Sequence, residues 1–160
     1  MEKKIIYIDM DGVVVNIDSE IKNWFKQHPH LVTKFEKCPD HIPGIFRDPQ
    51  PVDGAIEAII KLYESGKYEL FIATSAPWGN PYSNAEKRLW IERYFGNIFH
   101  KKIIITHRKD LLKGDYLIDD RLKNGASEFS GELLRFGYDY ENNYSPNQYP
   151  DWDSILKYLL

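Results

Sequence analysis

Acidic residues follow the apolar runs of this 160-residue chain in a pattern that could do chemistry. The run Lys4–Ile8 leads into Asp9-Met10-Asp11-Gly12, and the run Tyr116–Ile118 leads into Asp119-Asp120. A third run, Tyr68–Thr74, ends in Thr74-Ser75, and Lys109 lies in a polar loop after a fourth, Lys102–Thr106. If these runs are parallel neighbours in one sheet, four carboxylates, two hydroxyls and an ammonium meet at a single edge. Carboxylates so placed repel one another, and a hard cation with oxygen ligands is the natural counterweight. Magnesium suits a shell shared between carboxylates and a phosphate. Such an ion bridges protein to phosphate and neutralises charge as a phosphoryl group moves. Thr74 and Ser75 can donate to phosphate oxygens, together with the N–H groups of the turn that follows. Lys109 adds a fixed positive charge. An Asp at a strand end is often only a turn residue or a helix cap; Asp9, Asp11, Gly12 and Asp120 in register make the chemical reading the stronger one. No cysteine or histidine pattern competes as a soft-metal site, and His28, His30, His41, His100 and His107 show no ligand spacing.

The elements that must position these groups read as strands alternating with helices. The four runs are continuously apolar, as strands buried on both faces are, and Glu132–Phe136 is a weaker fifth. Asp53 is placed to cap a helix carrying Ile56, Ile59, Ile60 and Tyr63 on one face, ending at Gly66. Asn84 is placed to cap a second, with Trp90, Ile91, Tyr94 and Phe95 apolar and Gly96 at its end, and Asp153 to start a third through Ile155, Leu156 and Leu159. This alternation predicts an α/β, doubly wound, mostly parallel sheet with helices on both faces. Residues 16–50 break the rhythm: they are rich in Pro, His and aromatics and follow the first strand directly. They are expected to form a small, mostly helical cap over the strand ends, inserted into a catalytic core of residues 1–15 and 51–160.

Bulk composition narrows the functions available. Hydrophobic residues at 42% and charged residues at 28% are ordinary for a globular domain and argue against disorder. A net charge of −3 marks no dedicated binder of nucleic acid polymers or of anionic membranes. The apolar run Ile5–Ile8 meets Asp9 too soon for a signal peptide, and no stretch approaches a membrane span. Cys38 is the only cysteine, so no internal disulfide forms. A cytoplasmic protein is expected, and a homodimer is among the assemblies left open.

The constellation resembles the haloacid dehalogenase superfamily of phosphatases, through DMDGV at 9–13, Thr74-Ser75, Lys109 and IDD at 118–120. The resemblance implies that Asp9 is a nucleophile that becomes an aspartyl phosphate. It implies that Asp11 is general acid and then general base. It implies magnesium held by the Asp9 carboxylate, the Asp11 carbonyl and one of the final pair, with Asp120 favoured and Asp119 holding a metal-bound water or Lys109. Thr74 and Lys109 would hold the phosphoryl group. Within the superfamily the chain is most similar to the 5'(3')-deoxyribonucleotidases. IFRDPQPVDGAIEAI at 45–59, EKRLWIERYFG at 86–96 and DYLIDDR at 115–121 carry that likeness. It makes Lys87 a phosphate-site candidate and a nucleoside 5'- or 3'-monophosphate the expected substrate. The loop after Ser75, APWGNPYSN, departs from the family pattern.

A flat base could stack on aromatic rings, and Phe25, Phe46 and Trp78 are the candidates; packing is the competing role for each. A sugar-phosphate or other small-metabolite phosphatase is the alternative enzyme. A phosphoacceptor domain of the receiver type is the alternative of another class, since receivers also bring acids, a Thr or Ser and a Lys to strand ends. They lack the DxDG arrangement and an aromatic-rich insertion after the first strand.

Overall fold

A computed structural model describes residues 2–160. The apolar runs form β1 (Lys4–Ile8), β2 (Tyr68–Thr74), β3 (Ile103–Ile105), β4 (Tyr116–Asp119) and β5 (Glu132–Arg135). They lie in one sheet in the order β3-β2-β1-β4-β5, with every pairing parallel. The chain thus builds outward from β1 to β3, then returns to place β4 on the other side of β1. The order reverses between β1 and β4, which leaves a crevice beyond the carboxyl ends of those two strands.

Alternation along the strands divides the core into two layers. Ile6, Ile8, Leu70, Ile72, Ile118 and Leu134 face the larger one. There they meet α3 (Ala55–Glu64), α4 (Ser83–Phe95) and α5 (Trp152–Leu159), which follow α1 (Ile17–Gln27) and α2 (Val32–Phe35) in the chain. Tyr7, Ala73 and Leu117 face the other layer, where Ala126, Phe129 and Leu112 cover them. That second face was expected to carry helices. It is instead closed by the stretches 109–115 and 120–131 on either side of β4, whose regular structure is the 3₁₀ turns Lys109–Leu111 and Ala126–Glu128.

The helix starts differ from the sequence expectation. Gly54, not Asp53, is the N-cap of α3, in a left-handed conformation (φ 77°) that a side chain would disfavour. The helix α4 starts one residue before Asn84. Asp151, not Asp153, caps α5 in a reciprocal box with Ser154, an arrangement worth about 1 kcal/mol.

Residues 17–47 form α1, α2 and two single 3₁₀ turns. They enclose an apolar cluster of their own, with Ile42, Ile45 and Phe46 at its centre and Ile21, Trp24, Phe25 and Phe35 around it. The neck of this segment is closed by Asn16 N–H donating to the Gln50 carbonyl (2.8 Å) and Val52 N–H donating to the Val14 carbonyl (2.8 Å). Two buried indoles secure the same neck from the core, Trp152 Nε1 donating to the Val13 carbonyl and Trp90 Nε1 to the Pro49 carbonyl, each at 2.8 Å. A buried indole N–H left unpaired would be costly, so each bond fixes both its ring and the chain it reaches.

Candidate active site

The crevice at the ends of β1 and β4 holds a cavity of about 430 Å³, within the range of small-molecule sites. Its floor is the strand ends. The parallel registers Ile8↔Ile72 and Ile8↔Ile118 bring Asp9 and Asp119 to one level, one residue beyond those pairs, with Thr74 one residue further along β2. Asp9 N–H continues the ladder by donating to the Ile118 carbonyl (2.9 Å). After Asp9 the chain turns sharply, with Val13, Val14 and Val15 N–H groups all donating to the Met10 carbonyl. Gly12 (φ 80°) lies against Asp120, and a Cβ there would collide with Asp120 Oδ2. The glycine of DxDG therefore serves two needs, the left-handed turn and the approach of the last acid.

Lys109 Nζ sits among the acids, donating to Asp9 Oδ1 at 2.9 Å and to Asp119 Oδ2 at 2.6 Å. The other Asp119 oxygen accepts from Arg121 N–H (3.0 Å). One carboxylate oxygen from each of Asp9, Asp119 and Asp120 lies within 4.8 Å of the others, and all three residues are buried. Burial, and then the Asp9 charge, push the carboxyls of both Asp119 and Asp120 up from the ordinary range. Burial also works to lower the Lys109 ammonium, but attraction and hydrogen bonds from Asp9 and Asp119 overcome it, and the net shift is upward. One ammonium thus faces three buried carboxylates. Such an all-oxygen donor set fits a hard divalent cation.

A second buried ammonium holds Asp11. Lys87 Nζ donates to Asp11 Oδ2 (2.9 Å), Thr74 Oγ1 (2.9 Å) and the Ser75 carbonyl (2.7 Å). It also lies 4.8 Å from the centre of the Phe46 ring. All three of its N–H groups are used within the protein. The Thr74 hydroxyl is similarly committed, donating to the Ser75 carbonyl (3.2 Å). Asp11 Oδ1, in contrast, is buried without a partner. Burial raises the Asp11 carboxyl above its usual range, more than the nearby Lys87 lowers it.

The structure brings Asp9, Asp11, Ser75, Lys109, Asp119, Asp120 and Phe46 to the cavity. Thr74 and Lys87 stand directly behind that lining. Phe25 and Trp78 are not brought there: Phe25 packs edge-to-face on Trp24, and Trp78 projects into solvent, 92% exposed. The remaining wall was missed in the sequence. It includes Ile17 and Ile21 of α1, Arg121 after β4, and Tyr140 on a hairpin of β6 (Tyr138–Asp139) and β7 (Ser145–Pro146). The hairpin segment GYDYENNYSPNQY is polar and lacks periodicity, so nothing in it signals a strand pair. The burial of Lys87 had a faint signal, its position four residues before Ile91 and three before Trp90 on the apolar side of α4.

This fold is shared with haloacid dehalogenase-like hydrolases. A haloacid dehalogenase-like family hydrolase of Xanthomonas campestris aligns over 98% of this chain and 94% of its own, with a TM-score of 0.63 at 10% identity. A Bacillus subtilis protein described provisionally as a HAD-hydrolase, and solved bound to magnesium, aligns over 99% of both chains with a TM-score of 0.57 at 14% identity. Sequence comparison is more specific. The family model described as "5' nucleotidase, deoxy (Pyrimidine), cytosolic type C protein" matches residues 35–157. A Vibrio phage KVP40 protein with the provisional name 5'(3')-deoxyribonucleotidase is 43% identical over 161 residues, 99% of this chain and 85% of its own. The 5'(3')-deoxyribonucleotidase of Bacillus subtilis is 28% identical over 177 residues, 99% of each chain. The chain belongs to this 5' nucleotidase family, and so is a phosphatase.

Proposed function

We propose that this phosphatase is magnesium-dependent, hydrolyses nucleoside or deoxyribonucleoside 5'- or 3'-monophosphates, and works through an aspartyl phosphate on Asp9. The observation that carries the mechanism is the pairing at the cavity floor. Asp9 has one oxygen held by Lys109, and Asp11 beside it has one oxygen held by Lys87 and the other unpartnered.

In the first step an Asp9 carboxylate oxygen attacks phosphorus, and the ester oxygen leaves with a proton from Asp11. Burial favours the protonated form of the Asp11 carboxyl, the form from which a general acid starts. In the second step Asp11 takes a proton from water, whose oxygen attacks the phosphorus, and Asp9 is released with inorganic phosphate. Lys109 orients Asp9 and offers charge to the transferring group. Ser75 and nearby backbone N–H groups bind its oxygens. Lys87, with every donor engaged, positions Asp11 and Thr74 from behind. Magnesium, held by Asp9, the Asp11 carbonyl and Asp120, with Asp119 steadying Lys109, would supply charge neutralisation for the phosphoryl group.

The nucleotide assignment draws on the family and its relatives. We infer that residues 1–15 and 51–160 form the catalytic body and that residues 16–50 form a lid that selects the leaving group. Initial rates on nucleoside monophosphates and on sugar phosphates, with magnesium and with excess chelator, test the whole proposal. Preference for nucleotides and dependence on magnesium are expected. Full activity in chelator overturns the metal assignment, and equal rates on sugar phosphates overturn the nucleotide one.

A further inference from the structure

The floor of the cavity handles only the phosphoryl group, which every phosphate ester offers. Selection of the leaving group falls to the walls. Two aromatic residues line the cavity, Phe46 and Tyr140. Phe46 is 2% exposed and has the Lys87 ammonium over its ring, so little of it remains to meet a ligand. Tyr140 is 36% exposed. Burial raises its hydroxyl, and after burial the charges of Asp120 and Asp18 do so most. The ring lines the same cavity as Asp9, Asp119 and Asp120 of the carboxylate cluster and as Asp18 in the first turn of α1.

The ring is also held in place. The hairpin pairs Tyr138 with Pro146 and Asp139 with Ser145. Asp139 Oδ1 accepts from Glu141 N–H (3.0 Å) and lies 3.6 Å from the Arg135 guanidinium. Lys123 reaches Glu141 at 3.4 Å, tying the hairpin to the loop that follows the metal-site acids. Tyr144 meets the Tyr140 ring edge-to-face at 5.5 Å, and the Arg121 guanidinium lies 5.7 Å from its centre. An aromatic platform whose orientation is fixed before binding loses little entropy when a flat group stacks on it.

We propose that Tyr140 is the residue that recognises the base, by stacking on it from the hairpin side while Ile17 and Ile21 contact it from α1. The proposal rests on the nucleotidase reading and deepens it. It assigns base recognition to the body of the enzyme as well as to the inserted segment.

The test compares a deoxyribonucleoside 5'-monophosphate with deoxyribose 5-phosphate, which lacks the base. Tyr140→Ala is expected to raise KM for the nucleotide about fivefold to a hundredfold, the range in which loss of a stacked aromatic acts. Its kcat, and its KM for deoxyribose 5-phosphate, should stay within about twofold, because stacking acts on binding at a distance from the reacting atoms. Tyr140→Phe should behave as wild type on both substrates, since the ring and not the hydroxyl is the platform. If wild type prefers the nucleotide but Tyr140→Ala leaves its KM unchanged, the role of Tyr140 is overturned and the nucleotidase reading stands. Equal KM increases on both substrates, or a Phe variant as impaired as the Ala variant, also overturn the stacking role. If wild type does not prefer the nucleotide at all, both proposals fall.

Discussion

The floor of the cavity and its walls are built on different principles. Asp9, Thr74 and Asp119 stand at the carboxyl ends of β1, β2 and β4, where parallel registers place them within one residue of a common level. All three are buried, and each receives a hydrogen bond from a buried lysine. The walls come from the helical segment 17–47 and a short hairpin, whose lining groups other than the buried Phe46 are half-buried or exposed and whose position depends on loop contacts. The floor can thus keep one chemistry while the walls change substrate, a division common in open α/β sheets. It also sets two kinds of expected damage, loss of turnover at the floor and changed selection at the walls.

Asp9→Asn is the strongest test at the floor. The change is nearly isosteric and removes the attacking carboxylate, so kcat should fall by at least on the order of 10³-fold, the scale seen when a covalent nucleophile is removed. The melting temperature should not fall, because one of several crowded carboxylates has been neutralised. Turnover comparable to wild type would break the covalent assignment. Asp11→Asn should cost about 10²- to 10⁴-fold on an alkyl phosphate, the usual worth of general acid–base catalysis. On an activated aryl phosphate, whose leaving group needs no proton, the loss should be clearly smaller. Equal losses on the two substrates would mean that Asp11 does not protonate the leaving oxygen.

The lysine and the acids give a stability test. Lys109→Met leaves the cluster without its ammonium, and breaking a buried pair in this way costs about 3–5 kcal/mol. Urea unfolding in chelator should show a loss of that order, and magnesium should recover part of it. The pH dependence has a defined sign. The folded-state carboxyls of Asp119 and Asp120 are raised. Their contribution to stability is therefore fully present below the ordinary carboxylate value near 4 and is lost as pH rises through the folded values. A divalent cation that binds the ionised cluster reverses the penalty. The gain in melting temperature on adding magnesium should consequently be larger at pH 8 than at pH 5.5. A gain independent of pH would break the link between the acids and the ion.

The same division explains what the sequence made legible. Each strand was visible as an apolar run, and each floor residue as the polar group that ends it, because buried parallel strands leave that pattern and little else. Asp9, Asp11, Asp119, Asp120, Thr74 and Lys109 stand together at the carboxyl edge of the sheet. The turns that replace helices on the second face left no periodic signal, and a short 3₁₀ turn leaves none. Tyr140 was hidden for a related reason. It lies in a stretch of Tyr, Asn and Asp that reads as loop, yet it follows directly on the paired residues Tyr138 and Asp139 of the hairpin. Gly54 displaced Asp53 as a cap because the chain enters α3 through a left-handed residue, which glycine takes at least cost.

The smallest expected effects lie at the two aromatics that stay outside the cavity, and they define where the wall ends. Trp78 is 92% exposed, while its neighbour Asn80 is buried and donates to the carbonyls of Asp40 (3.0 Å) and Ile42 (3.2 Å). The loop is thus fastened to the inserted segment through Asn80, not through the indole. Trp78→Ala should change stability by no more than about 0.5 kcal/mol, as for an ordinary surface substitution. KM for a nucleotide should stay within about twofold, well below the effect expected at a stacked ring. Phe25→Ala differs in kind, since Phe25 belongs to the apolar cluster of residues 17–47. Loss of a half-buried ring from such a cluster should cost about 2 kcal/mol, below the 3–5 kcal/mol of a fully buried one. Any rise in KM there should fall equally on deoxyribose 5-phosphate, because the whole inserted segment is loosened. If Trp78→Ala instead raised nucleotide KM fivefold and spared deoxyribose 5-phosphate, the loop after Ser75 would have to fold over the bound base. The wall would then extend beyond the residues that line the cavity in this structure.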